Sequence, residues 1–184
     1  MERLSGREII KRLAAARSRE RQVAQRVATP VTEEELEAIA RAEAALQLVV
    51  QDIEATTSIR EPSRIQRYDD WVAERPRNPL AAIFGSDHDD VDPSEDEDEG
   101  VVVACHWDGR AFALNGDQPL VEMVVEIAAQ LQDDVIDEVW GAWPVCPRHA
   151  HPMVLDIVDG QAVWECPSDG HVVAPVGQLR AATQ

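Results

Sequence analysis

Two Cys-Pro dipeptides, Cys146-Pro147 and Cys166-Pro167, stand on either side of a stretch that reads as a β-hairpin turning at Asp159-Gly160. No other feature of the chain restricts its fold as much. A proline directly after a ligand-type residue prebends a turn, and a glycine at the far side lets the chain leave it. Two such turns carried on one hairpin come together in space, so side chains that are distant in sequence converge. The first turn offers Cys146 and His149 at the separation needed to face a single point. The second offers Cys166, with Asp169 where a second cysteine would complete the pair and His171 two residues further on.

Thiolate and imidazole suit tetrahedral zinc. The expected metal ligands are therefore Cys146, His149, Cys166 and His171, with Asp169 or His151 as alternatives, and Zn2+ is the expected cofactor. The competing reading is the same fold without an ion, held by apolar packing of Trp143, Trp164, Met153 and Val163. Either way, residues 141–184 are expected to form a small zinc-ribbon-like β module. Cys105 and His106 are neighbours on another expected strand and point to opposite faces, so at most one could join such a site. Burial of Cys105 is the expectation there.

Upstream, the fold class expected is α+β. Ser5 and Glu8 form a capping box, and Thr32 and Glu35 form a second, with Pro30 between the two helices they begin. Seven-residue periodicity runs through Ile9, Leu13, Ala16, Glu20, Val23 and Val27, and again through Leu36, Ile39, Glu43, Leu46, Val50 and Ile53. Residues 1–57 thus read as an antiparallel helical hairpin or coiled coil, a surface for self-association or for a protein partner. Residues 58–85 read as a short helix after Pro62, with Ile65, Tyr68, Trp71 and Val72 on one face, followed by an apolar plug from Leu80 to Phe84. Residues 86–100 are dominated by Asp and Glu and read as a disordered, self-repelling linker. Residues 101–140 read as a β-hairpin turning at Asp108-Gly109, then an amphipathic helix capped at Asp117 with Leu120, Val124, Ile127, Leu131, Val135 and Val139 on one face.

The net charge of −18 narrows the function classes. The first helix is basic (Arg3, Arg7, Lys11, Arg12, Arg17, Arg19, Arg21 and Arg26), so the remainder is more acidic still. An acidic body repels phosphate backbones, which disfavours nucleic acid as a partner. The candidate metal module carries no Lys or Arg between Arg148 and Arg180. No apolar run approaches the length that crosses a membrane, and the charged N-terminus does not read as a signal peptide. A cytoplasmic location is expected, or a virion if the gene is phage-borne. No glycine-rich phosphate loop and no serine nucleophile elbow is present, and Cys146 with His149 in one turn has the wrong geometry for a catalytic dyad. A non-catalytic protein is expected.

The run from Gln130 to Trp140, Trp143-Pro-x-Cys-Pro-x-His, His151-Pro-Met, Ala162-Val-Trp-x-Cys-Pro and Val176-Gly-x-Leu resembles a short C-terminal domain of small actinobacterial and actinophage proteins. The resemblance covers about the last third of the chain. It implies a virion or assembly role, with a neck or tail component as the concrete form. A zinc-ribbon regulatory or adaptor protein binding a basic protein partner, or after that nucleic acid, is the alternative.

Overall fold

The computed structural model describes residues 29–74 and 100–181. The helix expected over residues 1–28 with its Ser5/Glu8 box, the apolar plug from Leu80 to Phe84 and the acidic stretch 86–99 lie outside the described residues. The elements are helix α1 (Glu33–Thr56), strand β1 (Ser63–Arg67), helix α2 (Tyr68–Glu74), strands β2 (Val102–Trp107) and β3 (Arg110–Asn115), helix α3 (Leu120–Val139), and strands β4 (Val154–Val158), β5 (Gln161–Cys166) and β6 (His171–Pro175). This is a mixed α+β arrangement with two antiparallel three-stranded sheets, ordered β1-β2-β3 and β4-β5-β6.

Glu33–Arg67 and Gly100–Gln184 form one compact unit, while α2 belongs to a second. Within α2, the Tyr68 and Trp71 rings meet edge to face with centroids 5.3 Å apart.

Helix α1 begins immediately after Thr32 and carries Glu33, Glu34 and Glu35 in its first turn, where acidic side chains complement the helix dipole. Its buried stripe is Ala38, Ala42, Ala45, Leu46, Val49, Asp52 and Ile53. The heptad phase read from the sequence differs. Leu36 is 56% exposed, and Glu43 also faces solvent. The reason is physical: α1 lies against α3, and three small alanines let the two helices approach closely where larger residues would hold them apart. The facing stripe of α3 is Met123, Val124, Ile127, Ala128, Leu131 and Val135. Burial of each large side chain here stabilises the unit by roughly 1.5–3 kcal/mol. Helix α1 is therefore a core element of the unit that contains the β4-β5-β6 sheet.

The short helix expected after Pro62 is corrected in its first half. Ser63–Arg67 is a strand that pairs antiparallel with β2, with Ile65 opposite Cys105 and Arg67 opposite Val103. Ile65 and Arg67 point inward, and Arg67 bonds Glu35 of α1 through Nε at 3.1 Å. Helix begins only at Tyr68. The strand's partner lies far along the chain, so local periodicity carried no sign of it.

Strands β2 and β3 are joined by Asp108 and Gly109, both with positive φ. The pair suits a tight hairpin turn. Asp117 does not cap α3. Its carboxylate accepts the Val101 N–H at 2.9 Å instead, and the helix starts at Leu120 after Pro119. Trp140 closes α3 in the left-handed conformation, with its N–H on the Ile136 carbonyl.

Candidate metal centre

The two Cys-Pro turns are built alike. Cys146 accepts the N–H of Ala150 on its carbonyl at 2.9 Å, and Cys166 accepts the N–H of Gly170 at the same distance. Ala150 (φ 55°) and Gly170 (φ 70°) both take the left-handed conformation that reverses the chain. The two hexapeptides, Cys-Pro-Arg-His-Ala-His and Cys-Pro-Ser-Asp-Gly-His, therefore superimpose position for position as sequence. In that alignment His149 corresponds to Asp169, and His151 to His171. A bridge between Val145 and Pro152 closes the first turn. Strand pairing of Cys166 with His171 closes the second.

The side chains converge across the two turns. His149 Nδ1 lies 3.2 Å from Cys166 Sγ, and Cys146 Sγ lies 3.8 Å from His171 Nε2. On the other ring nitrogen, His171 Nδ1 is 2.5 Å from Asp169 Oδ1. The ligand-type atoms of His149, Cys166, Asp169 and His171 all lie within 4.8 Å of one another, so the group could hold a metal ion. Both cysteines are fully buried, the two histidines are half-buried and Asp169 is exposed. His151 faces solvent and stands outside this group, and the expected ligand Cys146, though buried, stands outside it too. Arg148 Nη1 reaches the other Asp169 oxygen at 3.8 Å.

The surroundings of Cys146 shift its thiol toward the thiolate. Burial works to raise the Cys146 thiol. The backbone N–H groups of Arg148 and His149, the adjacent Cys166 thiol and the His171 charge outweigh it and leave Cys146 below its ordinary 9.0. A thiolate is the form that binds metal. The hydrogen bond from His171 holds Asp169 below the usual carboxylate range, against a smaller opposing effect of desolvation. Cys105, by contrast, is pushed up to about 12 by burial alone and belongs to the β2 core.

A polar hub that sequence reasoning missed fixes the β4-β5-β6 sheet to the helices. Asp52 of α1 has no exposed surface. Its Oδ2 accepts Trp164 Nε1 and the Gly177 N–H, and its Oδ1 accepts the Leu179 N–H, each at 2.7 Å. Burial raises its pKa above 3.8, while the three N–H bonds restrain the rise. Two further side chains reinforce the contact. Trp143 Nε1 donates to Thr56 Oγ1 at 2.9 Å, and Gln132 of α3 donates to the carbonyls of Trp143 and Met153, each at 3.0 Å. The Trp143 and Trp164 rings meet edge to face at 5.5 Å. The signal in the sequence was an acidic residue standing one position before Ile53 on an otherwise apolar stripe.

Comparison with protein-family models, with curated proteins and with solved structures finds no match to this chain. Among the described residues, no helix is long and apolar enough to cross a membrane.

Proposed function

We propose that this chain is a non-catalytic structural or interaction protein whose β4-β5-β6 sheet is braced by zinc. The observation that carries the reading is the convergence of His149, Cys166, Asp169 and His171 from two matched turns within 4.8 Å, with the buried Cys146 sulfur 3.8 Å from His171 Nε2. Such a donor set saturates a four-coordinate ion and leaves no open position for substrate, which is the mark of a structural site. Zinc would lock the turns to each other. The Asp52 hub would then pass that rigidity to α1 and α3.

Two docking features support an interaction role. The heptad spacing of residues 1–28 in the sequence makes them the self-association segment of this reading, since the buried stripe of α1 is already taken up in the core. Trp140 is 95% exposed beside Val139 and the acidic pair Asp137 and Glu138, which fits a partner with an apolar pocket rimmed by basic residues. The resemblance to actinophage proteins makes a neck, tail or assembly component the concrete form of this reading. An adaptor for a basic protein partner is the second form, favoured by Trp140.

The test combines mass and metal. Light scattering of the full chain, with and without residues 1–28, is expected to show an oligomer that shrinks on deletion, and the purified chain is expected to carry one zinc. A monomer in both cases, with no zinc, would overturn the proposal.

A further inference from the structure

The convergent side chains allow two different four-ligand sets, and the distances separate them. One set takes His149, Cys166, Asp169 and His171, with one sulfur and one carboxylate. The other replaces Asp169 with Cys146, which stands outside that close group but whose sulfur lies 3.8 Å from His171 Nε2.

In tetrahedral zinc geometry, sulfur and nitrogen ligands lie about 3.5 Å apart. The two S···N distances across the turns, 3.2 and 3.8 Å, bracket that spacing. A nitrogen and a carboxylate oxygen on the same ion would stand about 3.3 Å apart. His171 Nδ1 and Asp169 Oδ1 are 2.5 Å apart, well inside that ligand spacing and in contact as hydrogen-bond partners. A pair so placed does not fit two ligands of one ion. With Nδ1 committed to Asp169, the free nitrogen of His171 is Nε2, and Nε2 is the atom turned toward Cys146. Exposure separates the sets in the same way: Cys146 is fully buried and Asp169 is open to solvent. Charge agrees as well, because two thiolates neutralise a divalent ion without the carboxylate.

We infer that the zinc ligands are Cys146 Sγ, Cys166 Sγ, His149 Nδ1 and His171 Nε2, and that Asp169 is a positioning residue that accepts the His171 Nδ1–H and fixes the ring's tautomer and direction. This rests on the zinc-braced reading above and specifies it. The matched turns are thus used unequally. The first supplies its histidine at the third position after cysteine, and the second at the fifth. The first turn's fifth-position histidine, His151, is left facing solvent. Outer carboxylates of this kind typically change metal affinity 10–100-fold when removed.

The experiment uses the full chain. Zinc X-ray absorption of the wild type is expected to show two sulfur and two nitrogen neighbours, a result that needs no variant to fold. Cobalt(II) titration is expected to give a thiolate-to-cobalt band that falls by about half in both Cys146→Ser and Cys166→Ser. Asp169→Asn is expected to keep the full band with affinity weakened about 10–100-fold, and His151→Ala to match the wild type. One sulfur neighbour, or a full band in Cys146→Ser with binding lost in Asp169→Asn, overturns the assignment while leaving a metal site in place. A folded wild type that takes up neither metal overturns both the assignment and the zinc-braced reading.

Discussion

Replacing Asp52 with alanine removes the acceptor of three hydrogen bonds at once. The Trp164 indole N–H and the backbone N–H groups of Gly177 and Leu179 all end on this one carboxylate at 2.7 Å. The site has no solvent to replace it, since Asp52 and Trp164 are each 0% exposed. Each orphaned buried donor costs about 1–3 kcal/mol. Against that stands the relief of a buried carboxylate's desolvation, the effect that raises its pKa. The net loss expected is about 3–5 kcal/mol, a large share of the 5–15 kcal/mol typical of a whole domain. Asp52→Asn retains an oxygen for two of the donors but turns an NH2 toward the third, and is expected to lose about 1–3 kcal/mol. Urea unfolding followed by circular dichroism measures both. A double-mutant cycle with Trp164→Phe isolates the indole bond, with an expected coupling of about 1–3 kcal/mol. If Asp52→Ala stays within about 1 kcal/mol of wild type, or the coupling is near zero, the hub does not hold the sheet to α1 and the energetic reasoning is wrong.

The same residue sets a pH dependence. Its native pKa lies above the unfolded 3.8, so its contribution is fully present below 3.8 and is lost as pH rises through the native value. The stability gap between wild type and Asp52→Asn is therefore expected to drift in favour of the asparagine variant as pH rises above 3.8, read by urea midpoints at each pH. Gly177 has φ +89°, and a Cβ there would lie 2.7 Å from Leu48 Cδ2. Gly177→Ala is expected to cost about 2–4 kcal/mol in the same assay. Cys105 is fully buried with its thiol pushed up to about 12. Native protein at neutral pH is expected to alkylate at Cys105 roughly a thousandfold more slowly than urea-unfolded protein, scored by peptide mass spectrometry.

What could be read from the sequence followed the range of the interactions that decide each element. The Asp108-Gly109 and Asp159-Gly160 turns and the Cys-Pro pairs are local, and a few adjacent residues carry their meaning. The middle of the α3 stripe, Val124, Ile127, Leu131 and Val135, is also local, whereas its expected ends Leu120 and Val139 are exposed and Met123 and Ala128 join the buried face. Ser63–Arg67 was misread as helix because its strand character depends on Val103 to Trp107, which lie beyond a long intervening segment. The phase of α1 was misread because its contact face is made of alanines, which a hydrophobicity pattern ranks below the more exposed Leu36 and Ile39. Asp52 was passed over because a buried carboxylate makes sense only once its three donors are known. At the metal centre, spacing alone could bring the candidate residues together. It could not say which atom of His171 turns toward Cys146, since that depends on where Asp169 sits.

The sequence separations of the Asp52 hydrogen bonds, 112 to Trp164 and 127 to Leu179, also bear on how the protein is made. A ribosome delivers α1 long before it delivers the groups that satisfy the carboxylate. Until residues 164–179 emerge, the three N–H groups that satisfy Asp52 in the folded protein do not yet exist. Burying that face of the helix before then would desolvate the carboxylate without its partners, so the cost of early collapse falls on this one position.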